Sequence, residues 1–276
     1  MNLQDITNQI KQKKSFLCVG LDSEMAKLPA HLLSSKRPVF DFNKSIIDAT
    51  APYSIAFKPN LAFYESRGLT GWHDLEDTVY YIKEKYPEIF LIADAKRGDI
   101  GNTSKMYAEA FFKQLPFDAV TVAPYMGADS VTPFLGFSNK FVILLALTSN
   151  AGAADFQYFS NSSNKPLFTE VIEKSKSWGP SENIMYVVGA TKASMLVNIR
   201  ELVPEHFLLV PGVGAQGGSL EEVAKYGMTK NCGLIVNASR SVIFAGNNTD
   251  FSQAAASEAK SMQTEMEILL KKYKVI

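Results

Sequence analysis

Residues 89–100 read Ile-Phe-Leu-Ile-Ala-Asp-Ala-Lys-Arg-Gly-Asp-Ile. The first five are apolar, and the run then breaks into charge at Asp94, Lys96 and Asp99. A strand covered on both faces reads as a nearly continuous apolar run, which is the habit of parallel sheets. Seven more such runs occur: Phe16–Leu21, Ser54–Lys58, Ala119–Ala123, Phe141–Leu147, Met185–Gly189, Phe207–Val210 and Leu234–Asn237. Between most of them lie helical patterns, such as Leu75, Val79, Ile82 and Tyr86. A second pattern is Ala255, Ala259, Met262, Met266, Leu269 and Tyr273. Strands alternating with amphipathic helices argue for βαβ units. Eight repeats in 276 residues predict an α/β fold, a single (β/α)8 TIM barrel over residues 1–276,. An open doubly wound sheet is the alternative. Leu3, Ile6 and Ile10 predict a short helix before the first strand,.

In such a barrel the reacting groups stand at the C-terminal ends of strands. Those ends carry Asp22, Lys58, Asp94 with Lys96 and Asp99, and Ser239-Arg240. Charges next to apolar strands are expensive unless they neutralise one another. Asp94 and Lys96 are two apart, which places them on one face of a regular pleat. An isolated Asp-x-Lys pair can be a plain salt bridge at a barrel rim. Lys58 and Asp22 converging on the same mouth weigh toward a site. Asp99 lies past Gly98 on the loop.

A second signal follows the seventh run: Pro211-Gly212-Val213-Gly214-Ala215-Gln216-Gly217-Gly218, then Ser219 with Glu222 three residues on. Glycines permit close backbone approach, and Ser-x-x-Glu is a helix-start pattern. Loops after strands seven and eight commonly hold phosphate in barrels, and Arg240 follows the eighth. A glycine-rich turn without function is the bland reading. The polar stretch 150–183 contains a helix expected over Leu167–Trp178 and is either a variable surface loop or a lid.

Composition excludes several classes. Lys plus Arg is 28 and Asp plus Glu is 28, so the chain lacks the basic footprint of a nucleic-acid binder,. Hydrophobic residues are 46% and charged residues 20%, an ordinary globular balance,. No membrane-spanning run and no secretory leader is expected. Cys18 and Cys232 sit in apolar runs and read as buried thiols of a cytoplasmic protein,. His31, His73 and His206 are scattered, with no zinc spacing, and no metal site is expected,.

The block Ala93–Thr103 resembles the signature of orotidine 5′-phosphate decarboxylases. Leu17–Asp22, Phe57–Asn60, Pro211–Gly218 and Asn237–Arg240 resemble the family's other blocks, in order. Lys58-Pro59-Asn60 and Leu147-Thr148-Ser149-Asn150 look like its longer bacterial-type subgroup. The resemblance implies Lys96 as proton donor to the pyrimidine carbon and Asp94 against the departing carboxylate. It implies Lys58 completing the charged array and touching ribose. It places Asp99 in the partner subunit's site of a homodimer, with Thr103 nearby on the ribose. Asp22 would bind ribose hydroxyls. Ser149 would bind the ring edge and Pro211 would pack on it. Gln216, Gly217 and Arg240 would hold phosphate. Ser239 departs from the glycine common beside that arginine. No cofactor is implied. Two rivals differ in class: a magnesium-dependent sugar-phosphate lyase of the 3-keto-gulonate 6-phosphate decarboxylase type, and a non-catalytic nucleotide-binding barrel. Lys58 and Thr103 weigh against the first, since a cation near strand two disfavours a metal there. The clustered charges weigh against the second.

Overall fold

The computed structural model describes residues 1–213 and 217–276. Its elements run α1 (Leu3–Lys13), β1 (Leu17–Leu21), α2 (Pro38–Thr50), β2 (Ala56–Pro59), α3 (Ala62–Glu65), α4 (Gly68–Lys85) and β3 (Phe90–Arg97). They continue α5 (Gly101–Glu109), β4 (Ala119–Val122), α6 (Ala128–Leu135), β5 (Phe141–Leu147), α7 (Ala153–Phe156), α8 (Leu167–Ser175) and β6 (Ile184–Val188). The chain finishes α9 (Leu196–Leu202), β7 (Leu208–Pro211), α10 (Leu220–Gly227), β8 (Leu234–Ala238), α11 (Arg240–Ile243) and α12 (Phe251–Lys272). The strands close into one parallel barrel in sequence order, with β1 pairing both β2 and β8. This is the (β/α)8 barrel that the eight apolar runs predicted, and it excludes the open sheet.

Burial explains why these runs became strands. Every residue of β1, β4, β6 and β8 is buried. Each strand packs inward on the barrel filling and outward on the helix layer, so neither face tolerates polarity without a partner. On α4, Leu75, Val79 and Ile82 are buried, and on α12 Ala255, Ala259, Met266 and Leu269 are. α1 begins with a capping box, in which Asn2 accepts from the Asp5 N–H and Asp5 accepts from the Asn2 N–H,. The helix expected over Leu167–Trp178 ends at Ser175. Trp178 instead closes a turn through its N–H to the Ser175 carbonyl, and Gly179-Pro180 cannot continue a helix,.

One buried group at the start of β7 makes the fold acid-sensitive. His206 is 9% exposed, and neither of its ring nitrogens has a hydrogen-bond partner. Burial, reinforced by the nearby Arg200 and Lys176 charges, pulls its pKa down to about 4. Above the ordinary histidine value of about 6.5 both folded and unfolded chains keep the ring neutral. As pH falls from there toward about 4, the unfolded chain takes a proton that the folded chain refuses, so stability declines,. His206→Leu removes that linkage. Between pH 7 and 4.5 the variant's melting temperature is expected to drop about 2–4 °C less than the wild type's. Parallel melting curves for the two proteins would show that His206 carries no acid sensitivity.

Candidate active site

The C-terminal rim of the barrel gathers the charges. A cavity there is walled by Asp22, Lys58, Asp94, Pro211, Gly212 and Arg240, with Asn60, Asn237 and Ser239 filling the gaps between them. These residues come from the ends of β1, β2, β3, β7 and β8, which only closure of the barrel brings together.

Asp94 is the centre. Its Oδ2 accepts from Lys58 Nζ at 2.5 Å and its Oδ1 from Lys96 Nζ at 2.6 Å. The Lys58 side chain is 5% exposed and that of Asp94 11%, whereas Lys96 is 51% exposed. Burial alone would push the Asp94 carboxyl up, but the two ammonium groups hold it well below the usual carboxylate range. Burial likewise disfavours charge on Lys58, and the attraction of Asp94 and Asp22 overcomes it and raises its pKa. Asp94 and Lys58 are therefore both charged at neutral pH, and the half-exposed Lys96 caps the pair on its open side.

Asp94 and Lys96 do meet, but not by the regular pleat expected from their spacing. Ala93 pairs with Val120 and Arg97 with Val122, so β3 is bulged between them. Lys96 takes φ 46°, in the left-handed region that non-glycine residues seldom enter,. The bulge turns the end of β3 toward the mouth, as bulges beside sites often do. Two bonds from a neighbouring strand hold it. Thr121 of β4 accepts the Lys96 N–H at 2.9 Å and donates to Asp94 Oδ1 at 3.1 Å. Thr121 was invisible in the sequence as anything but a strand residue, and its one mark is that it is the polar member of Ala119–Val122.

Asp22 has a buried Oδ1 without a hydrogen-bond partner. An orphaned carboxylate oxygen at a cavity wall calls for a donor from outside the chain. Across the cavity, Gly212 and Gly217 adopt φ 96° and 82°, conformations open to glycine and strained for other residues,. Gly218 N–H bonds the Gly212 carbonyl, drawing the two ends of the loop together. Gln216 lies outside the described residues. Of the Ser219–Glu222 box the hydroxyl half is formed, with Ser219 accepting the Glu222 N–H at 3.2 Å. Arg240 is exposed and makes no ion pair among the described residues. The departure at Ser239 has a compensation. A Cβ on Gly20 would lie 1.8 Å from Ser239 Oγ, so glycine on β1 makes room for that hydroxyl, which accepts from Asn237 Nδ2.

Lys96, Asp99, Thr103, Ser149 and Gly217 are not among the described residues that wall this cavity; Lys96 reaches it through its ion pair with Asp94. Asp99 stands on the loop before α5, its Oδ1 accepting the Ile100 N–H at 2.8 Å. Thr103 is exposed on the first turn of α5. Ser149 follows β5, beside Thr148, whose N–H and hydroxyl are both held by Gln157 at 2.8 Å. Asn60 and Asn237 are cavity walls that the sequence did not mark as site residues.

Residues 15–255 match the model of the orotidine 5′-phosphate decarboxylase / HUMPS family. This chain belongs to that family. A protein named orotidine 5′-phosphate decarboxylase from Phocaeicola vulgatus is 60% identical, over 98% of this chain and 99% of its own. Another of that name from Christiangramia forsetii is 60% identical, over 99% of this chain and 100% of its own. The solved structure of Leishmania donovani OMP decarboxylase is 33% identical and covers 96% of this chain and 99% of its own, with a TM-score of 0.79.

Proposed function

We infer that this chain decarboxylates orotidine 5′-monophosphate to uridine 5′-monophosphate, the last step of de novo pyrimidine nucleotide synthesis. The observation that carries the reading is Asp94 clamped between Lys58 and Lys96 at a mouth that also holds Arg240. Decarboxylation breaks the bond from the ring carbon to the carboxylate and leaves the electron pair on that carbon. Carbon dioxide departs, and the carbon takes a proton. A fixed ammonium stabilises the developing charge and then delivers that proton, and the half-exposed Lys96 is the group placed to do both,. Asp94 orients Lys96 through their ion pair, and its own negative charge faces the place from which carboxylate must leave. Lys58 neutralises the buried side of Asp94. Asp22 offers its unpaired oxygen to ribose hydroxyls, Ser149 and Pro211 bound the ring, and Gln216, Gly217 and Arg240 take the phosphate. The remote phosphate contributes binding energy that organises the site around the ring.

The magnesium-dependent lyase reading fits these atoms poorly. Both oxygens of Asp94 are occupied by ammonium groups, so a divalent ion would have to displace one,. The relatives at 60% identity are named for the nucleotide reaction.

The same reading makes the chain a homodimer with shared sites, Asp99 and Thr103 serving the neighbour. Support comes from apolar side chains on α5, its preceding loop and the loop after β4 that a lone chain leaves in water. Ile100 is 54% exposed, Met106 49%, Met126 51% and Tyr125 85%,. Of residues 150–183, the stretch before α8 would cover the mouth, anchored through Gln157 on Thr148, whereas α8 belongs to the helix layer, with Phe168 and Ile172 buried. The protein works in the cytoplasm on a small nucleotide, and Cys18 and Cys232, both buried free thiols raised to about 12 by burial, suit that compartment. No helix among the described residues is long and apolar enough to cross a membrane.

The phosphate assignment has a direct test. Arg240→Ala is expected to lower kcat/KM for orotidine 5′-monophosphate by about 10- to 100-fold, the worth of a charge-assisted hydrogen bond. The phosphate-free nucleoside should be turned over equally by wild type and variant. An equal fall on both substrates removes Arg240 from the phosphate site.

A further inference from the structure

The bulge in β3 sets Asp94, Ala95 and Lys96 opposite a single β4 residue, Thr121. Bulges leave backbone groups off the ladder, and here the stray group is the N–H of the residue that must present the ammonium. Thr121 is 1% exposed, so a water is not at hand to replace its hydroxyl. A hydroxyl has one proton to give and lone pairs to accept with. Thr121 spends the proton on Asp94 Oδ1 at 3.1 Å and accepts the Lys96 N–H at 2.9 Å. Asp94 Oδ1 is also the oxygen that receives Lys96 Nζ at 2.6 Å. Three bonds thus close a ring through one carboxylate oxygen, one hydroxyl, and the backbone and side-chain ends of Lys96. That ring opposes the relaxation of a left-handed lysine toward ordinary strand geometry,.

We propose that Thr121 is a positioning residue for decarboxylation, its hydroxyl fixing the Asp94 carboxylate and the bulged Lys96 backbone so that the ammonium meets the reacting carbon. The inference rests on the reading of the site given above. Thr121 is not a wall of the cavity and acts through the two residues it bonds. Removing its hydroxyl should therefore fall on the chemical step and spare the distant holds on phosphate and ribose.

The test compares four proteins: wild type, Thr121→Val, Thr121→Ser and Thr121→Ala. Steady-state kinetics on orotidine 5′-monophosphate are read alongside circular dichroism and melting temperature. Valine keeps the shape and deletes the hydroxyl, and kcat is expected to fall about 10- to 100-fold while KM moves less than about threefold. Serine restores the hydroxyl and should recover kcat to within about fivefold of wild type, since the bond rather than the methyl group is what matters. If the valine protein fails to fold, the serine and alanine proteins, which differ by one oxygen, carry the comparison. Equal kcat for serine and alanine, a valine variant with more than about half the normal kcat, or an effect confined to KM would each overturn the role. A wild type inactive on this nucleotide would overturn the decarboxylase reading and the role together, whereas an active wild type with an indifferent Thr121 overturns the role alone.

Discussion

Lys96→Ala is expected to abolish turnover and leave the barrel folded. The Lys96 side chain is half in solvent, so its truncation opens no core cavity. Asp94 remains paired with Lys58 at 2.5 Å, so no buried charge is stranded,. What disappears is the one exposed ammonium on Asp94. In the ground state the substrate ring carbon carries no charge for that ammonium to meet. In the transition state it does. The attraction to that carbon therefore grows in the transition state, and removing it lowers kcat rather than merely raising KM. Single-turnover decarboxylation and circular dichroism measured on one preparation decide the matter. A folded variant with more than about a tenth of normal activity, a cost of only about 1.4 kcal/mol, would remove Lys96 from the central role.

Two dead variants are expected to revive each other. Asp99 accepts the N–H of its own neighbour Ile100 and has no part in the ion pairs that join Lys58, Asp94 and Lys96, although it lies three residues from Lys96. With Asp99 serving the partner, each site of a two-fold dimer takes Lys58, Asp94 and Lys96 from one protomer and Asp99 from the other. Mixing Lys96→Ala with Asp99→Ala then yields heterodimers in which one site carries both lesions and the other none. With equal amounts and free exchange about half of the dimers are mixed, so about a quarter of wild-type activity should return. Proven exchange without recovered activity would refute the shared site. Dissociation of the Asp99 variant into monomers, read by light scattering, would mark that residue as an interface group instead.

The strands were legible because burial on both faces leaves a mark on composition. Phe141–Leu147 was readable to the residue, and β6 came within one residue at each end. The end of β3 was not. The apolar run stops at Ala93, while the strand continues to Arg97 through a bulge that no periodicity encodes. The charged residues of the site announced themselves because charge at the end of an apolar strand is costly and calls for a reason. Asn60, Asn237 and Thr121 did not, since a short polar side chain near a strand end reads like any turn or cap. Their places at the mouth arise from register between strands far apart in sequence, as Thr121 opposite Asp94–Lys96 illustrates. Gly20 is the converse case. Its need for no side chain is set by Ser239, on the far side of the barrel closure.

A charged array of protein side chains on this barrel, acting without a metal, is what should decarboxylate the pyrimidine nucleotide. Purified protein should be given orotidine 5′-monophosphate in the presence of a strong chelator, with carbon dioxide release measured. A parallel reaction should contain 3-keto-gulonate 6-phosphate and magnesium. Undiminished release from the nucleotide and none from the sugar phosphate is the expected result. No release from the nucleotide, or release that the chelator abolishes and magnesium restores, would contradict it.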